Sequence, residues 1–437
     1  MKCCKNDREN MMNTKAKNQS LIDDSIRVQP LPHAGDLKGV MIHYFLRGML
    51  ATKLPWKKTA WTCAGFPVEL LWAYDVFPHH PENMATVAAA RKQSLRLIEY
   101  TESLGYSRDL CSYCKTSIGA YDTGIKATLG GLDKPDFITC TNTICDTHWK
   151  WFHLQAHRLK VPIFVFDVPS VVSGTSPETM EGYVDYVVEQ FILFGEFMQK
   201  NFGKKPNEKK LRKVMKLSER LSSLWREIYE YRKIIPSVYS AAETSASFFP
   251  LVVLPGVKKG IQFYEKLLSD IKKRAAKGEG TLQEGKEKYR VLYEGIPFWY
   301  RMRFMYDLAK YGIVVTYEPY TWSFAPKKTM GLSLEESLRE TARTIMNLPY
   351  AYNLEDRIEY FEKAVQEYRI DGVILHENMS CRPSSSGMID LKEAIQRDLG
   401  VPVLILQCDM NDPRAFSEAQ IQTRVESFVE LMADNKK

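Results

Sequence analysis

The sequence predicts an α/β protein of two domains, each built on a parallel sheet of Rossmann-like or flavodoxin-like type, joined by a helical segment. Three observations carry that prediction. The chain has 437 residues, 45% of them hydrophobic and 12% aromatic, which is more than one core normally holds. From Lys58 onward, short apolar runs alternate with longer helical periodicities, the pattern of parallel strands covered by helices. A charged, glycine-containing stretch from Lys272 to Lys288 separates a helical middle from a second strand-and-helix series.

Residues 1 to about 30 are polar and rich in Asn and Lys, and Pro30 and Pro32 interrupt the chain just beyond them. This stretch reads as a frayed leader of low packing value. With the helix behind it, the leader makes a segment 1–55. A first α/β domain with a helical extension is expected over 56–235, a helical connection over 236–288 and a second α/β domain over 289–437. Strand candidates in the first domain are Thr59 to Thr62, Phe137 to Thr139 and Ile163 to Phe166. Those in the second are Arg290 to Tyr293, Ile313 to Tyr317, Gly372 to Leu375 and Val403 to Leu406.

Between Pro177 and Arg232, Val184, Val187, Val188, Phe191 and Met198 make one apolar stripe. Val214, Leu217, Leu221, Leu224, Trp225 and Ile228 make another. Ser176 and Pro177 suit the start of the first helix. These stripes are core packing, and Lys204, Lys205, Lys209, Lys210 and Lys213 read as a solvated face. No short repeat is present, and the two α/β halves are candidates for structural echoes of each other.

The formal charge is +7, from 60 basic and 53 acidic residues. That bias suits an anionic ligand, and its lack of clustering argues against nucleic acid as a partner. No apolar run reaches the roughly 20 residues of a spanning helix; Gly39 to Leu50 is short and holds His43 and Arg47. With no apolar stretch behind Met-Lys-Cys-Cys, no export signal is read and a cytoplasmic location is expected. Nine cysteines in that setting point to metal binding, catalysis or burial and away from disulfides. No P-loop, no G-x-G-x-x-G after a strand and no G-x-S-x-G elbow is present, so ATP hydrolysis is not expected of this chain.

In open α/β sheets, ligands bind beyond the carboxyl ends of the strands. Cys63 follows the first strand candidate and Cys140 and Cys145 the second. Glu294-Gly295-Ile296-Pro297 follows the fourth, Cys381 lies beyond His376, and Cys408-Asp409 follows the last. Thiolates are soft ligands for iron-sulfur clusters, zinc or copper(I). Cys111 and Cys114 form a C-x-x-C at a predicted helix start, where the dipole favours thiolate. Cys3, Cys4, Cys63 and Cys114 also read as structural or surface thiols, and Cys408 as a core thiol. His153 and His157, with His148 nearby, have zinc-like spacing, but without an H-E-x-x-H arrangement they read as core or surface histidines. Glu69, Glu82, Glu294 and His376 are candidate polar groups near the site, and a carboxylate near a strand end is equally suited to capping a helix or pairing with a lysine.

Several segments occur in a telling order: Trp61 through Leu70, Pro81-Glu82-Asn83, Gly105 through Tyr113, Asn142-Thr143-Ile144-Cys145, Glu294 through Pro297, Ser380-Cys381 and Asp409 through Arg414. Together they resemble the 2-hydroxyacyl-CoA dehydratase and class I benzoyl-CoA reductase family, from about residue 56 to the C-terminus. The resemblance implies a subunit of a heterodimer with a paralogous partner, each holding a four-iron four-sulfur cluster on three cysteines. The matching ligands are Cys111, Cys145 and Cys381. It also implies a separate ATP-hydrolysing iron-sulfur activator and an acyl-CoA substrate.

The implied activity is an anaerobic dehydratase that eliminates water from a 2-hydroxyacyl-CoA. One-electron reduction of the thioester carbonyl gives a ketyl radical anion that expels the hydroxyl, and the resulting enoxy radical has a far more acidic β-proton. General acid-base catalysis, good for about 10² to 10⁴, does not remove that proton unaided. Where some family dehydratases have a hydroxyl residue this chain has Ala64, which makes Thr62 the substitute candidate. Catalytic candidates are thus Thr62, Glu69, Glu294 and His376. The alternatives are a subunit of an ATP-dependent benzoyl-CoA reductase, suggested by Trp149-Lys150-Trp151-Phe152, a non-catalytic electron-relay partner, and a zinc-stabilised module.

Overall fold

The computed structural model of the protein describes residues 21–326, 333–348 and 352–436. Its described strands form two four-stranded sheets in which every neighbouring pair is parallel. The first contains β1 (Lys58–Trp61), β2 (Val76–His79), β3 (Phe137–Thr141) and β4 (Ile163–Phe166) in the order β2-β1-β3-β4. The second contains β5 (Tyr289–Glu294), β6 (Ile313–Tyr317), β7 (Gly372–Asn378) and β8 (Val403–Cys408) in the order β6-β5-β7-β8. The two orders are the same permutation, so the halves echo each other in topology. The protein is an α/β fold of two Rossmann-like or flavodoxin-like sheets.

The strands are apolar on both faces because helices cover both; every residue of β3 and β6 is buried. β2 has no counterpart among the sequence candidates. Pro78 hides it, and its place at the sheet edge explains why the proline is tolerated, since no further strand needs that N–H. Cys140, expected beyond the second strand, sits inside β3 with its side chain buried. The leader reading also ends earlier than residue 30. Ile26 is 2% exposed and packs with Leu282, Ala309 and Val314, and the Asp23 amide donates to the Lys310 carbonyl at 2.8 Å. Cys3 and Cys4 lie outside the described residues.

Both long helices form, Pro177–Phe202 with Ser176 Oγ accepting from the Thr179 amide at 3.1 Å, and Glu208–Tyr231. Between the halves lie the helices Ala241–Ser247, Phe249–Val253 and Lys258–Ala276. Among the described residues no helix is long and apolar enough to cross a membrane.

Two contacts fix the elements that matter for the site. The Ser112–Thr123 helix lies tight against the Ser94–Ser103 helix because Gly119 sits on the Leu97 carbonyl, where a Cβ would collide with backbone. At the C-terminal end of the Glu208–Tyr231 helix, buried Arg232 donates through both terminal nitrogens to Glu318 at 3.1 Å and to the Val315 carbonyl at 2.9 Å. Thr244 Oγ1 also donates to Glu318, at 2.6 Å. Glu318 begins the Pro319–Ser323 helix, so this ion pair holds that helix against the helical middle. Arg232→Leu leaves the Glu318 carboxylate buried without its cation. It should lower stability by about 3–5 kcal/mol in chemical unfolding, and an unchanged midpoint would contradict the structural role.

Candidate functional site

The carboxyl ends of the two sheets open onto one cavity. β1 contributes Cys63 through Glu69, β2 contributes His80 and Glu82, and β3 contributes Ile144, Cys145 and His148. From the second sheet come Ile296 after β5, Tyr320 and Phe324 after β6, Cys381 after β7 and Met410 after β8. In a sheet of order 2-1-3-4 the chain reverses direction of winding between the first and third strands, and the loops there diverge to leave a crevice. Both crevices face this cavity.

Cys111, Cys145 and Cys381 all line it. Each is the residue immediately before a helix: Ser112–Thr123, Asp146–Leu159 and Arg382–Ser385. In the second of these helices a first-turn amide reaches the sulfur: Cys145 Sγ accepts from the His148 amide at 3.4 Å. Burial pushes the Cys111 thiol up to about 12 and raises Cys381 further, with the Cys111 thiol adding to it. Burial also acts to raise Cys145, but the His148 ring beside it prevails and holds it below the ordinary thiol range. The result is a soft donor set in which the Cys145 sulfur already accepts an N–H. Among the described residues no three His, Cys, Asp or Glu side chains close on one point tightly enough for a single metal ion.

Residues adjacent to the cysteines bridge the loops. Ser380 Oγ accepts from the Ser112 amide at 3.1 Å, meets Ser112 Oγ at 3.2 Å and donates to Asp409 Oδ2. Asp409 is itself fixed by the amides of Asn411 and Asp412 at 2.7 and 2.8 Å. Cys111 and Cys381 are thereby tied through their neighbours. Arg382 donates to both carboxylate oxygens of Asp146 at 2.6 Å, tying Cys381 to Cys145 in the same way.

Beside the thiols, His148 Nε2 donates to Glu82 Oε1 at 2.6 Å, and Glu82 Oε2 accepts from the Ala64 amide at 2.8 Å. Burial pushes the Glu82 carboxyl up, but His148 and the Ala64 amide outweigh it and hold it below its ordinary range. Burial works against the His148 imidazolium, yet Cys145, Glu82 and Cys63 around the ring raise it well above the usual value. His148 was read from the sequence as an ordinary histidine. The signal that marks it is its position three residues after Cys145, one turn into the helix that Cys145 caps.

Of the four catalytic candidates, Glu69 lines the cavity, with Ser218 Oγ donating to it at 2.5 Å. Thr62, Glu294 and His376 are buried and are not among the lining residues. Thr62 pairs through its amide with the His79 carbonyl. Glu294 accepts from Arg357 at 2.9 Å, and Arg357 also reaches the carbonyls of Ser384 and Ser386, so the pair clamps the turn that carries Cys381. His376 Nδ1 donates to the Ile296 carbonyl at 2.6 Å; a carbonyl only accepts, so that nitrogen carries the proton. Gly295, at φ +119°, lies directly over the His376 Cβ, where any side chain would clash. Cys114 and Cys408 are buried away from the cavity lining. Trp151 and Phe152 pack against His148, whereas Trp149 is exposed.

The family model described as 2-hydroxyglutaryl-CoA dehydratase, D-component, matches residues 63–432. The chain is 30% identical over 394 residues to the (R)-2-hydroxyisocaproyl-CoA dehydratase alpha subunit of Clostridioides difficile, covering 87% of this chain and 91% of that one. It is 28% identical over 381 residues to the (R)-phenyllactyl-CoA dehydratase alpha subunit of Clostridium sporogenes, with the same 87% and 91% coverage. It is 29% identical over 385 residues to a benzoyl-CoA reductase subunit of Thauera aromatica, covering 84% and 87%. The match runs from Cys63 through Cys111, Cys145 and Cys381 to Met432, and on it the chain belongs to the 2-hydroxyglutaryl-CoA dehydratase D-component family.

Proposed function

We propose that this chain is the iron-sulfur subunit of an anaerobic 2-hydroxyacyl-CoA dehydratase, eliminating water from its substrate through a ketyl radical anion after ATP-driven one-electron activation. The observation that carries the reading is the meeting of Cys111, Cys145 and Cys381 with Glu82 on one predominantly apolar cavity. Three thiolates spread over three loops suit a polynuclear centre better than a single ion. Bound there, a four-iron four-sulfur cluster would supply an electron at low potential and, with three protein ligands, one iron with an open position.

The chain's own residues do the rest. The His148 amide donates to the Cys145 sulfur and stabilises its anionic form. Phe66, Ile144, Ile296 and Met410 exclude water from around the three sulfurs. Glu82, which lines the cavity with Oε1 hydrogen bonded to His148 Nε2, is the candidate to take or return the proton. Expulsion of the hydroxyl consumes one proton and loss of the β-proton returns one, and the electron that starts the cycle is recovered at its end. Relatives named as alpha subunits support a multi-subunit complex; in this reading the partner is a paralogous second subunit and the electron source a separate ATP-hydrolysing activator.

Aromatic ring reduction is the second reading, favoured by the 29% identity to a benzoyl-CoA reductase subunit. The Trp149-Lys150-Trp151-Phe152 stretch adds little to it, because its buried rings are helix packing. Incubating the activated complex with a 2-hydroxyacyl-CoA and with benzoyl-CoA separates the two: an enoyl-CoA product supports the dehydratase and a ring-reduced product the alternative.

Anaerobically purified protein with its partner should contain about four irons and four sulfides per chain, with the content of this chain lost in Cys111→Ala, Cys145→Ala and Cys381→Ala. Full iron content in all three variants would refute the ligand assignment. Asp409→Asn weakens the acceptor that holds Ser380, and should speed iron loss to a chelator by about 10- to 100-fold while all three thiols remain. Unchanged iron release would show that the Ser112–Ser380–Asp409 bridge does not support the cluster.

A further inference from the structure

The cavity walls that do not carry cysteine come from separate elements. Leu251 and Val252 lie on the Phe249–Val253 helix, Phe324 follows the Pro319–Ser323 helix, and Ile345 and Leu348 belong to the Leu334–Met346 helix and the residues after it. Phe66, after β1, completes an apolar surface. The acidic side chains on the lining are Glu69 and Glu82. Glu82 has its cation in His148 and Glu69 its donor in Ser218. Among the described residues no lysine or arginine lines the cavity.

From this wall we infer that the acyl group accepted here is apolar, and that an acyl group ending in a second carboxylate is rejected. The inference rests on the acyl-CoA reading above and refines it. An apolar acyl chain gains by leaving water for a surface of Phe, Leu, Val and Ile. A terminal carboxylate entering the same space loses its hydration, finds the His148 ring already engaged by Glu82 and no lysine or arginine among the described lining residues, and approaches two carboxylates of its own sign. The hydrogen-bonding capacity of Ser323, Thr341 and Thr344, which also line the cavity, does not neutralise a charge. Selectivity therefore sits on the helical connection and the second half's helices, apart from the loops that carry the thiols.

The test uses the anaerobically purified complex and three thioesters that lack the 2-hydroxyl, so that each binds without turnover: isocaproyl-CoA, phenylpropanoyl-CoA and glutaryl-CoA. The CoA portion is constant, so differences in dissociation constant report the acyl group. Isocaproyl-CoA or phenylpropanoyl-CoA should bind about tenfold or more tightly than glutaryl-CoA. In Val252→Arg, at a half-buried position that tolerates a longer side chain, the preference should shrink or reverse through tighter glutaryl-CoA binding. Glutaryl-CoA binding as well as or better than the apolar thioesters to the unaltered complex would overturn the inference and leave the acyl-CoA reading standing. Failure of every CoA thioester to bind would overturn that reading itself, and the inference with it.

Discussion

The site depends on the hydrogen-bonded seam that joins the carboxyl edges of the two sheets. Ser112 and Ser380 stand next to Cys111 and Cys381, and Asp409, held by its own two amides, anchors them from the end of β8. Other contacts cross the same boundary. Ser94 Oγ donates to the Asn411 carbonyl at 2.7 Å, Asn411 Nδ2 to Thr116 Oγ1 at 2.8 Å, and Arg414 to Glu102 at 2.7 and 2.9 Å. The buried members count most, because leaving a buried carboxylate or amide unpaired costs more than the bond itself contributes. The exposed Arg382–Asp146 pair adds geometric restraint more than stability.

The seam is possible because both halves use the same strand order. Each sheet leaves a crevice between its first and third strands, and opposing the two crevices makes a cavity reached by loops from both halves. The three cysteines that precede helices come from both halves: Cys111 and Cys145 with the first sheet, which also brings Cys63 to the cavity, and Cys381 with the second. The helix that follows each cysteine does double service. It fixes the backbone at the cysteine, and after Cys145 one of its first-turn amides donates to the sulfur.

Much of this is written locally in the sequence. Strands such as Phe137–Thr141 and Ile313–Tyr317 are legible because buried parallel strands are continuous apolar runs, and the cysteines beyond strand ends are legible because parallel sheets bind ligands there. The edge strand Val76–His79 is not, because Pro78 speaks against a strand and its edge position is a property of the assembled sheet. His148 is missed for a related reason. Its importance comes from Glu82, Cys63 and Cys145 converging on its ring, and Glu82 and Cys63 lie far away along the chain. Glu294 and His376 stand beside conspicuous motifs yet turn inward, Glu294 to Arg357 and His376 to the Ile296 carbonyl. Proximity in sequence to a strand end does not tell which face a side chain takes.

The central claim is that the three helix-capping cysteines hold a cluster whose open position faces the acyl cavity. Mössbauer spectroscopy of the iron-loaded protein, before and after addition of a non-reacting acyl-CoA, tests it most directly. The account predicts one iron site distinguishable from the rest, shifted by the thioester while the others stay unchanged. Spectra that do not respond to a thioester bound at saturation would contradict it, because the cluster would then lie outside the cavity or be fully ligated by the protein.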